Sequence, residues 1–301
     1  MSISRQNLSI VIVTIKSEGV IEQCIESINE DLPIIVVENS DNSKFANYLE
    51  KKYKNIKCIL TKENLGMGSG NNLGIKEAKT DYVFIINPDV VLEKNSINEL
   101  ILASEKISDF SILAPISSNI DYPNYELDEK QKKIKKENIP FAVNTVDGYA
   151  MLFNKKKIDS IISRSPSNFK NNYFDENFFM YLENNDLCKR LIEKGESIFI
   201  APKSEINHFG AKAVDQKYNK EIELSRNWHW IWSKFYFNKK HYGFFNAFLD
   251  GFPNYILSIL KYMFYLVISN KVKKNIYFNR ASGFFNALIG KRSWYRPNLD
   301  D

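Results

Sequence analysis

The sequence has few cysteines and no long uninterrupted apolar run. Its three cysteines, Cys24, Cys58 and Cys188, lie far apart and in no metal-ligand spacing, which excludes a disulfide scaffold and a cysteine metal site. We therefore expect a reducing, cytoplasmic compartment. The first apolar stretch, residues 8–15, is short and has no small-residue cleavage signature behind it, so we expect no signal peptide.

Acidic residues are absent between residues 251 and 299, although the whole chain of 301 residues carries a net charge of only +5. The rest of the sequence is close to neutral, so the C-terminal tail holds the excess positive charge. Apolar residues at 44% and charged residues at 26% exclude a disordered or collagenous chain. The basic residues of the tail are Lys261, Lys271, Lys273, Lys274, Arg280, Lys291, Arg292 and Arg296.

Short apolar runs alternate with stretches of helical length in the first ninety residues, which predicts a mostly parallel sheet flanked by helices. Such sheets bind ligands beyond the carboxyl ends of their strands, here at residues 14–18, 38–42 and 87–89. The lysine-rich segment 128–137 interrupts the pattern, and we expect a surface loop or a short exposed helix there. The apolar runs are residues 8–14, 33–37 and 82–86, and the predicted helices are 20–29, 44–53, 71–79 and 183–194.

Three segments contain residues suited to chemistry. Asn87-Pro88-Asp89 ends a strand, where a carboxylate can bind a hard divalent cation or simply cap a turn. The glycines of segment 64–74 precede a predicted helix. They could let the backbone approach a bound diphosphate, or they could form a flexible connection that binds no ligand. Their spacing fits a dinucleotide-binding fingerprint poorly. Glu183 and Asp186 are three residues apart, so at the start of a helix both carboxylates lie on one face. Acidic residues are also common in a first helical turn because the helix dipole favours them there.

Six motifs follow one another along the chain. They are Ser9-Ile-Val-Ile-Val-Thr14, Val37-Glu-Asn-Ser40, Asn64-Leu-Gly66 with Asn71-Asn-Leu-Gly74, Asn87-Pro-Asp89, Phe174-Asp-Glu-Asn-Phe-Phe-Met-Tyr181 and His208-Phe-Gly210. Taken in this order, they resemble the family 2 glycosyltransferases of the GT-A fold, particularly bacterial rhamnosyltransferase-like members, from about residue 8 to residue 232. The resemblance implies a GT-A, Rossmann-like sheet with a C-terminal helical extension.

The resemblance implies inverting sugar transfer from a nucleotide diphosphate, with a divalent cation, Mg²⁺ or Mn²⁺, held by Asp89 and His208. It implies that Glu183 or Asp186 is the base, and we favour Glu183. His208 could equally be a buried structural histidine. The acceptor side is expected to include Asp147, Asp175 and Glu176. The implied donor-binding residues are Thr14, Glu38, Asn39, Ser40, Asn64, Gly66, Asn71, Asn87 and His208.

Three positions depart from the family pattern. Glu38 replaces an aspartate, and Asn87 replaces the first aspartate of the metal-binding Asp-x-Asp motif. Asn184 stands where the family has an aspartate that is often assigned as the base, and an amide cannot accept a proton at neutral pH. These substitutions leave a second hypothesis open, a catalytically inactive subunit that binds glycan or acts as a scaffold. A third, a dinucleotide oxidoreductase, rests on the glycines alone.

We expect a catalytic domain over residues 1–225 and an aromatic, basic helical tail over 226–301. Asp250, Pro253 and Lys261 interrupt the apolar tail, so we expect it to lie on an anionic membrane surface and not to span it. Homo-oligomer formation through the same helices is the alternative. The expected partners are a nucleotide-sugar donor such as dTDP-rhamnose and a saccharide or lipid-linked acceptor in surface-glycan synthesis, without nucleic acid. We expect a peripheral protein on the cytoplasmic face of the membrane.

Overall fold

The computed structural model describes residues 3–28, 31–107, 109–119, 121–127, 138–169, 172–210 and 213–299. The lysine-rich segment 128–137, for which a loop or short helix is expected, lies outside the described residues. The chain divides into two units. The sheet unit comprises Met1–Asp175 and Asn184–Asp215, and the helical unit comprises Glu176–Glu183 and Gln216–Asp301.

The sheet unit is built on a mixed sheet whose first half is parallel. Strand order is β3-β2-β1-β4-β10-β6-β11-β5, with β8 also paired to β11. The strands are β1 (Leu8–Thr14), β2 (Ile34–Glu38), β3 (Ile56–Leu60), β4 (Tyr82–Ile86), β5 (Val90–Leu92), β6 (Ile112–Ser117), β7 (Tyr125–Glu126), β8 (Phe141–Ala142), β9 (Thr145–Val146), β10 (Ala150–Asn154) and β11 (Ile198–His208). β7 and β9 form a separate two-stranded pair.

Helices cover both faces of this sheet, as the alternating pattern predicts. They are α1 (Ile21–Ile28), α2 (Ser43–Lys52), α3 (Met67–Glu77), α4 (Ser96–Glu105), α5 (Lys155–Arg164), α6 (Pro166–Phe169) and α7 (Glu183–Ile192). In β1, Ile10 and Ile12 enter one hydrophobic cluster and Val11 enters the cluster on the opposite face. Burial on both faces explains why the central strands are continuous apolar runs without alternation.

The order of the strands brings several loops to one edge of the sheet. β1, β2, β3 and β4 are parallel, so their carboxyl ends lie together. β10 runs antiparallel to β4, with Ala150 opposite Ile86, and therefore begins where β4 ends. β11 runs parallel to β6 and finishes with His208 opposite Val90 of β5. The loops that follow β4 and β11 and the loop that precedes β10 therefore meet.

The helical unit contains α8 (Asn219–Tyr242), α9 (Phe244–Val267) and α10 (Lys271–Leu288). Trp228, Trp232, Phe235 and Phe284 form its hydrophobic core. Gly283 of α10 lies so close to α8 that an added Cβ would be 2.4 Å from the carbonyl oxygen of Trp228. Within the described residues, no helix is both long enough and apolar enough to span a bilayer.

Candidate active site

Asp89 and His208 meet at the carboxyl edge of the sheet. Asp89 follows β4 and is 2% exposed, whereas His208 ends β11 and keeps 23% of its side chain exposed. The Nε2 atom of His208 lies 3.5 Å from Oδ1 of Asp89. The backbone N–H of Phe209 donates to the carbonyl oxygen of Asp89 at 3.2 Å, which ties the two loops together. Residues 119 positions apart in the sequence therefore share one site.

Tyr149 is a site residue that sequence reasoning missed. Its ring stacks on His208 with centroids 3.9 Å apart and planes 21° apart. Its carbonyl oxygen accepts a hydrogen bond from the N–H of Asn87 at 2.9 Å, which aligns the start of β10 with the Asn87-Pro88-Asp89 turn. No sequence signal distinguishes this tyrosine from other strand-initiating aromatics, because the stack depends on the pairing of β10 with β4.

Asp147 lies two residues before Tyr149, in the same loop. Burial raises the pKa of the Asp147 carboxyl, and the nearby His208 opposes that rise. Burial and the Asp147 carboxylate also raise the pKa of the Tyr149 hydroxyl. Asp147 is therefore electrostatically linked to the Asp89–His208 pair, while its expected contact with an acceptor stays a prediction.

Glu38 organises the loop after β2. Its fully buried carboxylate accepts hydrogen bonds from the backbone N–H groups of Ser40 at 3.2 Å and Asn42 at 2.6 Å, and from the Ser40 hydroxyl. The backbone N–H of Asn39 donates to the carbonyl oxygen of Thr14 at 2.8 Å, joining the ends of β1 and β2. The longer glutamate side chain is thus accommodated by hydrogen bonds within the loop.

Asn39 links this loop to the segment that precedes α3. Its Oδ1 accepts from the Thr61 hydroxyl at 3.0 Å and from the N–H of Leu65 at 3.1 Å, and its Nδ2 donates to Asn64 Oδ1 at 3.3 Å. Asn64 Oδ1 also accepts from the N–H of Gly66 at 3.0 Å. The Asn39 and Asn64 amides therefore hold the loop conformation, and a direct donor contact for either stays a prediction.

The glycine-rich segment forms a helix earlier than predicted. α3 begins at Met67 and not at residue 71, so Gly68 and Gly70 lie within the helix together with Gly74. Only Gly66 caps the N-terminus, with a φ of 82° that other residues rarely adopt. The turn between β3 and α3 contains one glycine, Gly66, and not the glycines of a dinucleotide fingerprint, so the dinucleotide hypothesis gains no support from it.

Asn71 and Asn72 occupy consecutive buried positions of α3. The Asn72 side chain pairs with the Phe174 backbone, donating to its carbonyl oxygen and accepting from its N–H, both at 2.9 Å. Asn71 is 2% exposed, and among the described residues its Oδ1 accepts no hydrogen bond. Asn72 thus stabilises the fold, while Asn71 retains a buried acceptor that a ligand donor could satisfy.

Asp186 forms a buried ion pair within α7. Arg190 Nε donates to Asp186 Oδ2 at 2.7 Å, and the two side chains are 5% and 0% exposed. Arg190 Nη2 also donates to the carbonyl oxygen of Tyr173 at 2.7 Å, and its guanidinium lies 4.6 Å from the ring centre of Phe169. The Asp186 carboxylate is therefore committed to a buried ion pair with Arg190 inside α7.

Glu183 is the first residue of α7 and is 3% exposed. The two residues before it, Tyr181 and Leu182, have positive φ angles of 72° and 67°. Non-glycine residues in this conformation store strain, which proteins tolerate mainly at functional sites. Asn184, the next residue, donates from Nδ2 to the carbonyl oxygen of Val146 at 2.8 Å, a bond that an aspartate could not make.

The remaining predicted residues occupy different environments. Asn87 is half-buried and its carbonyl oxygen lies 3.5 Å from the Cys24 Sγ atom. Asp175 is buried and ends the first segment of the sheet unit, whereas Glu176 is exposed and begins the helical unit. The expected pairing of Asp175 and Glu176 in one acceptor pocket stays a prediction.

The protein family described as "Glycosyl transferase family 2" matches residues 9–162 of this chain, which is half of its length. The match includes most of the predicted site residues. The chain belongs to this family. The match contains Thr14, the Glu38 loop, α3, Asp89 and Asp147, and it ends before α7 and His208. The resemblance noted in the motifs is thereby confirmed.

Two curated relatives of this family 2 glycosyltransferase are similar over most of its length. Low-salt glycan biosynthesis hexosyltransferase Agl10 of Haloferax volcanii is 26% identical over 237 residues, which cover 73% of this chain and 69% of the relative. Rhamnosyltransferase WbbL of Escherichia coli K12 is 25% identical over 228 residues, which cover 66% of this chain and 82% of the relative.

Solved glycosyltransferases share the fold at low sequence identity. GalNAc-T7, crystallised with UDP, GalNAc and Mn²⁺, matches with a TM-score of 0.53 and 12% identity over 67% of this chain, which spans only 43% of that chain. TarS of S. aureus matches with a TM-score of 0.52 and 11% identity over 93% of this chain and 55% of that one. These similarities confirm the predicted GT-A fold.

The fold family implies a divalent cation, and the residues present fit a minimal site for one. The carboxylate of Asp89 and the imidazole of His208 converge at the same edge of the sheet. The carboxylate is an oxygen ligand that Mg²⁺ and Mn²⁺ both take, whereas the imidazole suits a transition metal such as Mn²⁺ better than Mg²⁺. Among the described residues, no group of three or more His, Cys, Asp or Glu side chains is arranged to hold a metal. Ligands from a bound diphosphate and water would have to complete the coordination shell.

Proposed function

We propose that the chain is an inverting glycosyltransferase of surface-glycan biosynthesis. It transfers a sugar from a nucleotide diphosphate to a hydroxyl group of a saccharide or lipid-linked acceptor. The observation that carries the proposal is the convergence of Asp89 and His208, 3.5 Å apart, at the carboxyl edge of a family 2 sheet. Rhamnose is the first sugar to test, with dTDP-rhamnose as donor, because one relative is named a rhamnosyltransferase and the other a hexosyltransferase of glycan biosynthesis.

Donor binding is assigned to the loops at the same edge of the sheet. Asp89 and His208 would hold the divalent cation, which when bound offsets the negative charge of the leaving diphosphate. The Gly66 turn and the start of α3 present backbone N–H groups to anionic oxygens. Asn71 offers its buried Oδ1 to a donor hydroxyl or N–H. The other assigned residues are Thr14, Glu38, Asn39, Ser40, Asn64 and Asn87.

Glu183 is assigned as the general base. Its carboxylate takes the proton of the acceptor hydroxyl while that oxygen bonds to the anomeric carbon and the bond from that carbon to the diphosphate oxygen breaks. The configuration inverts because attack and departure occur on opposite faces of the sugar. Asp186, paired with Arg190, is assigned a positioning role in α7. Asp147, Asp175 and Glu176 are assigned to the acceptor side.

Nucleotide release from a panel of nucleotide sugars tests this assignment, with Mg²⁺ or Mn²⁺ and with and without a chelator. We expect release by the wild type and a loss of roughly 10²–10⁴-fold in Glu183→Gln, the usual contribution of a general base. Asp186→Asn should lower the melting temperature of the protein, because it weakens a buried ion pair. Glu193→Gln, just beyond α7 in an exposed ion pair with Lys189, is the matched control and should keep full activity.

A catalytically inactive, glycan-binding subunit is the second candidate, and Asn87 and Asn184 favour it. The Asn184 amide is committed to the Val146 carbonyl, so the position of the family's acidic residue is structural here. The same panel separates the candidates. If the wild type releases nucleotide from no donor yet binds saccharide, the binding subunit is correct. Unchanged turnover in Glu183→Gln would overturn the base assignment alone.

We also propose that different parts of the chain carry catalysis and membrane attachment. Residues 1–225 carry catalysis, and the aromatic, basic tail of residues 226–301 holds the enzyme peripherally at the cytoplasmic face of an anionic membrane. The absence of acidic residues between 251 and 299 supports this proposal. A lipid-linked acceptor would then be within reach. Association of two copies through the same helices is the alternative.

A further inference from the structure

Helix α9 presents a continuous exposed apolar stripe. Seven large side chains are spaced four, three, four, four, three and four residues apart, which places them on one face of the helix. They are Phe245, Leu249, Phe252, Ile256, Leu260, Met263 and Val267, and their exposed fractions run from 38% to 82%. Of all the residues of α9, only Ala247 and Ser258 are buried. From Phe245 to Val267 the stripe is therefore about 33 Å long.

The single acidic residue of α9 lies away from this stripe. Asp250 accepts hydrogen bonds from Lys234 Nζ at 3.0 Å and from Asn238 Nδ2 at 3.1 Å, both on α8. Its carboxylate therefore faces the neighbouring helix and is neutralised there. The exposed stripe carries no negative charge that would repel an anionic surface.

Lysines are found at both ends of the stripe. Lys239 and Lys240 are exposed just before α9 begins, and Lys271 and Lys273 are exposed just after it ends. Lys273 Nζ lies 5.3 Å from the ring centre of Tyr265, near the last turn of α9. An apolar face bounded by cations at both ends is the pattern of a helix lying in the headgroup region of a bilayer.

We propose that the α9 stripe lies in the interface of an anionic lipid bilayer, with the four flanking lysines at the level of the lipid headgroups. Charge complementarity favours lipid over a second copy of this chain. If two copies packed stripe against stripe, in a parallel or an antiparallel arrangement, the lysines of one copy would lie beside lysines of the other and repel them. Anionic lipid headgroups attract all four lysines. This inference deepens the membrane part of the proposed function by naming the surface.

Cosedimentation of the full chain with vesicles tests the proposal. The vesicles contain phosphatidylcholine with or without phosphatidylglycerol, and no sugar donor is present. We expect binding to the anionic vesicles that weakens as salt rises. Leu249→Gln with Val267→Gln, and separately Lys271→Glu with Lys273→Glu, should each weaken binding roughly tenfold or more. Leu102→Gln, an equally apolar exposed site on α4 at 46% exposure, is the matched control and should bind like the wild type.

Three results would overturn the proposal. The first is no binding of the wild type to anionic vesicles at low salt, and the second is equal binding by the stripe variant. The third is a wild-type dimer in sedimentation velocity without lipid that dissociates in the stripe variant, since a second copy would then cover α9. Far-UV circular dichroism is used to check that each variant is folded. Nucleotide release in a lipid-free assay tests the catalytic proposal separately, and the stripe variant should keep it.

Discussion

Tyr149 fixes the orientation of the histidine that faces Asp89. A partly exposed imidazole can rotate about its side-chain bonds, and the stacked ring of Tyr149 restricts that rotation. Stacked aromatic pairs contribute about 0.5–1.5 kcal/mol beyond their buried area. Tyr149 is therefore a positioning residue for the proposed cation site and not a catalytic one.

Removing this stack should weaken the binding of a divalent cation. In Tyr149→Leu we expect the affinity for Mn²⁺ in the presence of UDP to fall by roughly three- to tenfold, since about 1 kcal/mol of pre-orientation is lost. Tyr149→Phe keeps the ring and should stay close to wild type. Electron paramagnetic resonance of free Mn²⁺ measures the affinity without turnover.

A matched control tests whether loss of any aromatic pair has the same effect. Phe141 packs edge-on against Tyr125 at 5.2 Å, within the same unit. Phe141→Leu should leave Mn²⁺ affinity unchanged. Equal weakening in Tyr149→Phe and Tyr149→Leu would show that the hydroxyl, and not the stack, is responsible.

The residues of this site differ in how far sequence reveals them. Asp89 is found because it follows a predicted strand within the motif Asn87-Pro-Asp89, and His208 is found only through the motif His208-Phe-Gly210. The structure brings the two side chains together. Tyr149 is not found, since its stack depends on β10 running antiparallel beside β4. The amides of Asn39 and Asn64 are found as polar loop residues, but their hydrogen bonds to the loop itself come only from the fold.

At the scale of elements, the close packing of α3 on the sheet explains its glycines. A Cβ added at Gly70 would lie 2.8 Å from Val13 Cγ1, and one added at Gly74 would lie 2.4 Å from Val11 Cγ1. A larger residue at either position would have to displace the valine side chain that it meets. Gly70 and Gly74 therefore allow α3 to approach β1 closely. Gly66, just before the helix, is needed for a different reason, its positive φ angle.

Gly74→Ala should destabilise the protein although alanine favours helices. Alanine gains about 1 kcal/mol of helix propensity over glycine, whereas overpacking a core costs about 1–3 kcal/mol. At 2.4 Å from a buried strand, the overpacking should dominate. We expect a lower urea midpoint by circular dichroism. Gly19→Ala, where an added Cβ meets nothing within 4 Å, is the control. A rise in stability for Gly74→Ala would contradict the packing argument.

Among the first four strands, element prediction succeeds where both faces of a strand are buried and fails at the edge of the sheet. β1, β2 and β4 coincide with apolar runs because each is central. β3 is not among the predicted apolar runs, because it lies at the edge of the sheet and its Lys57 and Leu60 are exposed. The predicted start of α3 lies too late in the sequence, because glycines normally disfavour helices and only tertiary packing reveals that these belong to one.

At the scale of the whole molecule, the two units differ in what the sequence could establish. The family description covers residues 9–162 and thereby the predicted sheet, but it does not extend to the helical unit. The tail's charge and aromatic content predict an interaction surface, whereas the direction of the α9 stripe depends on which side chains pack against α8 and α10. All four tryptophans, Trp228, Trp230, Trp232 and Trp294, belong to the helical unit, so their fluorescence reports on it alone.

His229 makes the helical unit sensitive to acid. It is fully buried in α8, where Nε2 is 2.8 Å from the carbonyl oxygen of Tyr295 and Nδ1 is 3.2 Å from the Ser293 hydroxyl. Burial, and to a lesser degree the Arg296 charge, lowers the pKa of His229 from 6.5 to about 3. Its folded form stays neutral at pH 5, while the unfolded chain binds a proton there. Stability is therefore fully present above pH 6.5 and falls as the pH drops towards 3.

Tryptophan fluorescence during urea unfolding should show this loss directly. Between pH 7 and pH 5 we expect His229 to remove about 2 kcal/mol of unfolding free energy, at about 1.4 kcal/mol per pH unit below the ordinary pKa. His229→Gln lacks the titrating ring, so it should be less stable at pH 7 but show a smaller loss on acidification. His241→Gln, a half-buried histidine of the same helix, should retain the wild-type slope. An unchanged slope in His229→Gln would mean that other groups govern the acid sensitivity of the helical unit.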